Sequence, residues 1–133
     1  MRIFACLLAL AAASPAAFAQ TPADFLAAYA QQAKQENPAY QAPSARQGRL
    51  FFTARHGREW SCASCHTDNP ADAGRHAVTG RPIKPLAPSA NAARFTRQAK
   101  VEKWFRRNCN DVLGRACSAQ EKGDVLAYLL TLK

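Results

Sequence analysis

The segment Cys62-Ala63-Ser64-Cys65-His66 decides how the rest of the chain is interpreted. Two cysteines separated by two residues, with a histidine directly after the second, form the pattern of c-type haem attachment. In that chemistry both thiols bond to the vinyl groups of the haem, and the imidazole ligates the iron from below. The segment therefore predicts one covalent haem c, with Cys62 and Cys65 as its anchors and His66 as the proximal ligand of the iron.

Two other uses of paired cysteines compete with haem attachment. A zinc site would need a second pair of ligands, and the later pair, Cys109 and Cys117, is widely spaced with no histidine nearby. A thioredoxin-like redox pair would lie within a βαβ pattern, which the sequence does not show. Haem attachment is favoured over both.

Residues 1–19 have the features of an export signal. Arg2 is followed by an apolar stretch over residues 3–13, and Ala17-Phe18-Ala19 forms the small-x-small pattern that a signal peptidase cuts. The apolar stretch is too short to span a bilayer. We therefore predict a cleaved signal peptide over 1–19, one monohaem domain over 20–133, and a soluble protein exported to the periplasm.

The chain is strongly basic, with 18 Lys and Arg against 9 Asp and Glu and a formal net charge of +9. Export argues against nucleic acid as a partner. A basic face on an exported protein suits an acidic redox partner or the membrane surface. A generally solvated basic surface is the alternative.

The remaining cysteines predict a disulfide. Cys6 leaves with the signal peptide and the haem takes two more, so Cys109 and Cys117 are left as a pair. In an oxidising compartment such a pair is expected to be bridged.

Capping patterns and helical periodicity predict an all-α domain. One helix begins after Thr21 and ends near Glu36, and the last helix begins with Ser118 as its N-cap. Two further helices are predicted over 44–54, where Ser44 is the N-cap, and over 97–107. Gly48 inside the first of them indicates that another backbone approaches closely there. Residues 66–89, rich in Pro and Gly, are predicted to form a long ordered loop around the haem edge without strands. Side chains expected to face inward from the two middle helices are Leu50, Phe51 or Phe52, Val101, Trp104 and Phe105.

The sixth ligand of the iron is not a methionine, because the only methionine is Met1 in the predicted signal. His56 and His76 lie in polar segments, where a surface histidine is the more typical interpretation. The iron therefore has either an unusual distal ligand or an open position.

Several blocks of the chain closely resemble the sphaeroides haem protein (SHP) family, class I cytochromes c in which an asparagine side chain is the sixth ligand. The resemblance extends from the helix around Gly48 to the C-terminal helix. The blocks are Ile83-Lys84-Pro85-Leu86-Ala87-Pro88-Ser89-Ala90, Arg94-Phe95-Thr96, Val101-Glu102-Lys103-Trp104, Arg107-Asn108-Cys109-Asn110, Gly114-Arg115 and Cys117.

This resemblance implies a class I cytochrome c fold, a small helical domain wrapped around one covalent haem, with Gly48 against Tyr128 where two helices cross. It places the sixth ligand at Asn108 and the disulfide between Cys109 and Cys117. An amide oxygen is a hard, weak ligand that suits ferric iron better than ferrous. Without the resemblance, Asn108 would be interpreted as a helix C-cap, and Asn110 is the nearest rival ligand.

The function implied is electron transfer coupled to redox-gated binding of a diatomic ligand, oxygen or nitric oxide, in a protein that is not primarily an enzyme. The redox partner implied is a multihaem cytochrome c, with a membrane cytochrome as a further candidate. Two alternatives stay open. One is a plain electron carrier with His56, His76 or a lysine on the iron. The other is a small oxidase or peroxidase, for which the sequence offers no evident distal acid–base histidine.

Overall fold

The computed structural model describes residues 20–133, so the predicted signal peptide lies outside the described residues. The described part is predominantly helical, as predicted, and none of its helices is both long and apolar enough to cross a membrane. Its elements are α1 (Pro22–Glu36), α2 (Ala45–Thr53), α3 (Ala63–His66), β1 (Gly74–Arg75), β2 (Pro82–Ile83), α4 (Gln98–Leu113) and α5 (Ala119–Thr131).

The predicted capping residues begin three of the helices. At α1, the Thr21 hydroxyl accepts from the Asp24 amide at 3.3 Å, and the Asp24 carboxylate accepts from the Thr21 amide at 2.8 Å. Ser118 and Glu121 form the same reciprocal pair at α5, and the Ser44 hydroxyl caps α2 by accepting from the Gln47 amide at 3.2 Å. The three predicted helix starts are therefore confirmed.

Helices α2 and α5 cross at Gly48. A methyl group at this position would collide with the backbone carbonyl of Asp124, so only glycine permits the approach. The predicted close contact is confirmed, but its partner lies one turn earlier than Tyr128. The reason is a second contact, in which the Ser44 amide donates to the Asp124 carboxylate at 2.7 Å and fixes the start of α2 over that turn. Tyr128 instead packs edge-on against Phe52, with ring centroids 5.6 Å apart.

The core lies between α1, α2 and α5 and is largely aromatic. Phe25 and Tyr29 on α1 are buried, as is Phe52 on α2. The expectation that Leu50 faces this core is wrong, because its side chain is 53% exposed. Gly48 and Phe52 are four residues apart and share the face against α5, whereas Leu50 lies about 200° around the helix from either.

Helix α4 is longer than the predicted span of 97–107. It continues to Leu113 and ends at Gly114, whose φ of 72° is the left-handed conformation typical of a C-terminal glycine. No Gly or Pro interrupts residues 98–113. Asn108 therefore lies inside the helix, and its interpretation as a C-cap is wrong.

The inward face of α4 only partly matches the prediction. Val101 is buried, and Phe105 packs against the core. Trp104, also predicted to face inward, is 43% exposed, with the Arg107 guanidinium 5.3 Å from its ring.

The predicted loop over residues 66–89 contains a small antiparallel hairpin, so the absence of strands is wrong for four residues. Gly74 pairs with Ile83 and Arg75 with Pro82. The turn is closed by the ring of His76, whose Nδ1 atom accepts from two backbone amides, those of Val78 and Thr79, at 3.2 Å each. Strand prediction relies on alternating apolar and polar residues, so it does not detect a short hairpin whose turn is closed by a side chain.

Candidate functional site

The Cys-x-x-Cys-His segment is folded into a single fixed helical turn. Cys62 is the N-cap of α3, and Cys65 and His66 lie within it. Two serines brace this turn reciprocally. The Ser61 amide donates to the Ser64 hydroxyl at 3.0 Å, and the Ser64 amide donates to the Ser61 hydroxyl at 3.3 Å.

Strand β1 packs closely against the other side of this turn. A methyl group at Gly74 would collide with the backbone carbonyl of Cys65 and lie 3.1 Å from the His66 Cα atom. The amide of Ala77 donates to the Cys65 sulfur at 3.3 Å. The hairpin therefore fixes the backbone of the two residues that the sequence assigns to haem and iron.

The three side chains that would hold a haem make no competing covalent bond. Cys62 and Cys65 are unpaired thiols, both partly buried. Burial raises the pKa of Cys62 to about 11. Burial, followed by the positive charge of Arg94, lowers the pKa of His66 to about 4. His66 is thus neutral near pH 7, the form in which imidazole binds a metal.

The surroundings of this turn are apolar. The ring of Phe52 lies 6.3 Å from that of His66, and Cys62, Ala63 and Leu86 all pack against the aromatic core. Two thiols and a neutral imidazole beside an apolar wall suit a flat, largely apolar macrocycle. The residues present therefore fit a covalent haem, with Cys62, Cys65 and His66 as those that would hold it.

Asn108 lies on α4, which is joined to the rest of the fold mainly through side chains. Among the described helices, α4 does not pack its backbone closely along another. The Asn108 side chain is partly buried and makes no hydrogen bond to another described residue. Trp104, one turn earlier, shares its face, whereas Asn110 is exposed and lies about 200° around the helix from Asn108. The structure thus separates the two asparagines, and the role of Asn108 as iron ligand stays a prediction.

The predicted disulfide is confirmed. Cys109 and Cys117 are bonded, with Cα atoms 5.6 Å apart. The bond joins the end of α4 to the segment that precedes α5, directly after Asn108 in the chain. It therefore fixes the backbone next to the predicted ligand.

The two remaining histidines are both used locally. The His56 Nε2 atom lies 2.8 Å from the Phe51 carbonyl, and the two rings stack with centroids 4.4 Å apart. The His76 ring closes the hairpin turn. Both are partly buried, where exposed surface positions were predicted. These contacts give each histidine a structural role that iron binding would disrupt.

Arg94 is a residue of the site to which the sequence assigned no role. Its half-buried guanidinium donates from Nε to the Pro85 carbonyl at 2.9 Å and from Nη2 to the Lys84 carbonyl at 2.7 Å. The Asn91 side-chain Nδ2 atom donates to the same Pro85 oxygen at 3.1 Å. Arg94 thereby places a positive charge near His66 and ties down the segment 84–91. Its presence in the Arg94-Phe95-Thr96 block was the one available signal.

Comparison with known families matches residues 38–129 to a family described as a domain of unknown function, DUF1924. The chain is also similar to cytochrome c″ of Methylophilus methylotrophus, with 50% identity over 107 residues, 77% of this chain and 74% of that protein. A solution structure of cytochrome c″, which concerns the structural basis of haem-ligand detachment, superposes with a TM-score of 0.74 at 45% identity, over 83% of this chain and 92% of that one.

The second relative is the cytochrome c-type protein SHP of Cereibacter sphaeroides. It is 42% identical over 127 residues, which cover 92% of this chain and 94% of that protein. The structure of oxidised SHP, an oxygen-binding cytochrome c, superposes with a TM-score of 0.76 at 40% identity, over 86% of this chain and 99% of that one. Both likenesses extend over nearly the whole described domain.

Proposed function

The chain belongs to the family of cytochrome c″ and the cytochrome c-type protein SHP, and on that premise we propose that it is a periplasmic monohaem c-type cytochrome. Its function is electron transfer coupled to redox-gated binding of oxygen or nitric oxide. The haem c, when bound, supplies an iron that exchanges one electron and takes small ligands. Cys62 and Cys65 would hold the haem, and His66 and Asn108 would ligate its iron.

The redox-gated binding is supported above all by the contacts of Asn108. Its backbone is fixed by the neighbouring disulfide, while its side-chain amide is committed to no other described residue. An amide oxygen held in this way can ligate ferric iron without losing a hydrogen bond within the protein. Because the same oxygen would be a poorer ligand for the softer ferrous iron, Asn108 would be released more easily when the iron is reduced.

Location and partner follow from the charge and the cysteine chemistry. The signal pattern over residues 1–19 and the disulfide both suit the periplasm. The excess of basic side chains suits a redox partner with an acidic surface, for which a multihaem cytochrome c is our proposal and a membrane cytochrome the second candidate. Charge complementarity of this kind mainly speeds encounter and weakens with salt.

The proposal is tested with two asparagine variants of the holoprotein in the ferric state. Asn108→Ala should keep the haem covalently attached but open the iron to water, seen as a larger high-spin signal in resonance Raman spectra, and to added azide, seen in an absorption titration. Asn110→Ala is the matched control, because it removes the same amide two residues away on another face. A ferric spectrum unchanged by Asn108→Ala would contradict the proposed ligand.

Two histidine variants, compared with the asparagine variants, separate the proposal from a plain electron carrier. A carrier ligated by His56 or His76 would lose its sixth ligand on His56→Ala or His76→Ala and would ignore changes at Asn108. We expect the reverse pattern, because both histidines already serve the backbone beside them.

A further inference from the structure

Three helices meet at the carboxylate of Glu102 on α4. The Tyr29 hydroxyl, from α1, donates to one carboxylate oxygen at 2.6 Å. The Lys122 ammonium, from α5, donates to the other at 2.6 Å. The side chain of Glu102 thus joins α4 to both α1 and α5.

Aromatic rings flank the Lys122 end of this bridge, whereas the Glu102 side chain is 37% exposed. The Lys122 Nζ atom lies 5.5 Å from the centre of the Tyr29 ring and 5.8 Å from that of Phe105, and the two rings meet edge-on at 5.8 Å. The Lys122 side chain is only 16% exposed. Hydrogen bonds that join charged groups in such surroundings are stronger than those at an open surface.

The bridge keeps Glu102 ionised. Burial by itself would raise the pKa of Glu102, but the hydrogen bonds from Lys122 and Tyr29 outweigh it and leave the pKa below its ordinary value. Burial, and then the bond to Glu102, raises the pKa of Tyr29, so the phenol stays protonated and donates. Near pH 7, Glu102 is therefore a carboxylate that accepts both bonds, and Tyr29 is a phenol that donates one of them.

Glu102 lies on the same helix as Asn108, so the bridge can affect where Asn108 is held. It lies six residues before Asn108, about 9 Å along the helix axis. The disulfide at Cys109 lies on the other side. Because α4 does not pack closely along another described helix, these two attachments and the apolar side chains of Val101 and Phe105 fix the orientation of Asn108.

We propose that the Tyr29–Glu102–Lys122 bridge positions α4 and thereby sets how firmly Asn108 is held as the distal ligand, with Glu102 as the positioning residue. This inference rests on the proposed role of Asn108. Loosening the bridge lets the first half of α4 move away from α1 and α5. Asn108 would then be held less firmly as a ligand, and an added anion would compete more easily with its amide oxygen.

The test uses the full holoprotein and sodium azide as the probe. Glu102→Gln should raise the affinity of the ferric protein for azide at least about fivefold, which corresponds to roughly 1 kcal/mol, and should enlarge its high-spin fraction. Asp111→Asn is the matched control, because it removes the same charge from the same helix, closer to Asn108, at an exposed position. Its azide affinity should stay within about twofold of the wild type, since a surface charge contributes little.

Lys122→Met breaks the same bridge from the opposite side. It should reproduce the effect of Glu102→Gln, and the two changes together should add less than their sum, because they remove one shared interaction. If Glu102→Gln does not fold, Tyr29→Phe removes one hydrogen bond and keeps the ring, and should shift azide affinity in the same direction by a smaller factor. Equal azide affinities for Glu102→Gln and Asp111→Asn, with haem content and helicity intact, would overturn the proposal.

An Asn108→Ala background separates this inference from the function on which it rests. If the bridge acts through Asn108, Glu102→Gln should no longer change azide affinity once the amide is gone. An undiminished effect in that background would overturn the positioning role while leaving the ligand role standing. A ferric spectrum that ignores Asn108→Ala in an otherwise wild-type protein would overturn both.

Discussion

The two sides of the candidate haem site are built in different ways. The Cys62–His66 side is held by short-range contacts of the backbone: two serines, a glycine against a carbonyl, and a hairpin that pairs beside it. The Asn108 side is held by side-chain contacts from distant parts of the chain and by one disulfide that spans eight residues. Under the proposed assignment, the proximal ligand is the fixed one, and the distal ligand lies on the side that would yield. Such an arrangement lets a change at the iron release one ligand while the other stays in place.

The largest effect is expected on the rigid side, at Gly74. Gly74→Val adds three carbons, and its Cβ atom collides with the Cys65 carbonyl, a backbone collision that no rotamer change can relieve. We expect most of the covalently attached haem to be lost, as measured by haem staining on a denaturing gel. Ala73→Val, at an exposed neighbouring position, should keep normal haem content. Normal attachment in Gly74→Val would show that the hairpin does not fix the attachment turn.

A smaller effect is expected on the yielding side, from the disulfide. Replacing Cys109 and Cys117 by Ala should lower the free energy of unfolding by roughly 2 to 4 kcal/mol, as measured by denaturant titration. Haem attachment should survive, because the proximal contacts are untouched, and α5 should keep its helicity. The ferric spin state should shift toward high spin as Asn108 loosens. An unchanged ferric spectrum would mean that the disulfide does not position the ligand.

The smallest effect is a dependence on pH at Glu102. Because the pKa of Glu102 is lower in the folded chain than its ordinary value of 4.5, the bridge contributes stability at neutral pH and loses it as pH falls through the folded value. The difference in unfolding free energy between wild type and Glu102→Gln should therefore shrink between about pH 6 and about pH 3. A difference that stays constant over this range, in parallel denaturant titrations, would show that ionised Glu102 gains nothing from its partners.

The sequence predicted best those features that depend on neighbouring residues. The caps at Thr21, Ser44 and Ser118 and the Cys-x-x-Cys-His pattern are local. The disulfide followed from the number of cysteines left over, and the close approach at Gly48 from a glycine inside a helix. In each case the residues concerned carry the information themselves.

Features that depend on the packing of distant segments were mispredicted or missed. Periodicity alone gave α4 too short a span and turned Trp104 inward, although Gly114 marked the true end. The Tyr29–Glu102 contact joins residues 73 positions apart, which no local pattern reveals. Asn108 became a candidate through family resemblance, because an asparagine in a helix has no spacing that marks an iron ligand.

The state of the ferrous iron tests the difference between the two sides most directly. Resonance Raman and absorption spectra of the reduced wild-type holoprotein, recorded with and without carbon monoxide, report whether the distal ligand has left. Release of Asn108 with His66 retained predicts a five-coordinate, high-spin ferrous haem that binds carbon monoxide rapidly. A six-coordinate, low-spin ferrous haem that ignores carbon monoxide would contradict the yielding distal side and favour a plain electron carrier.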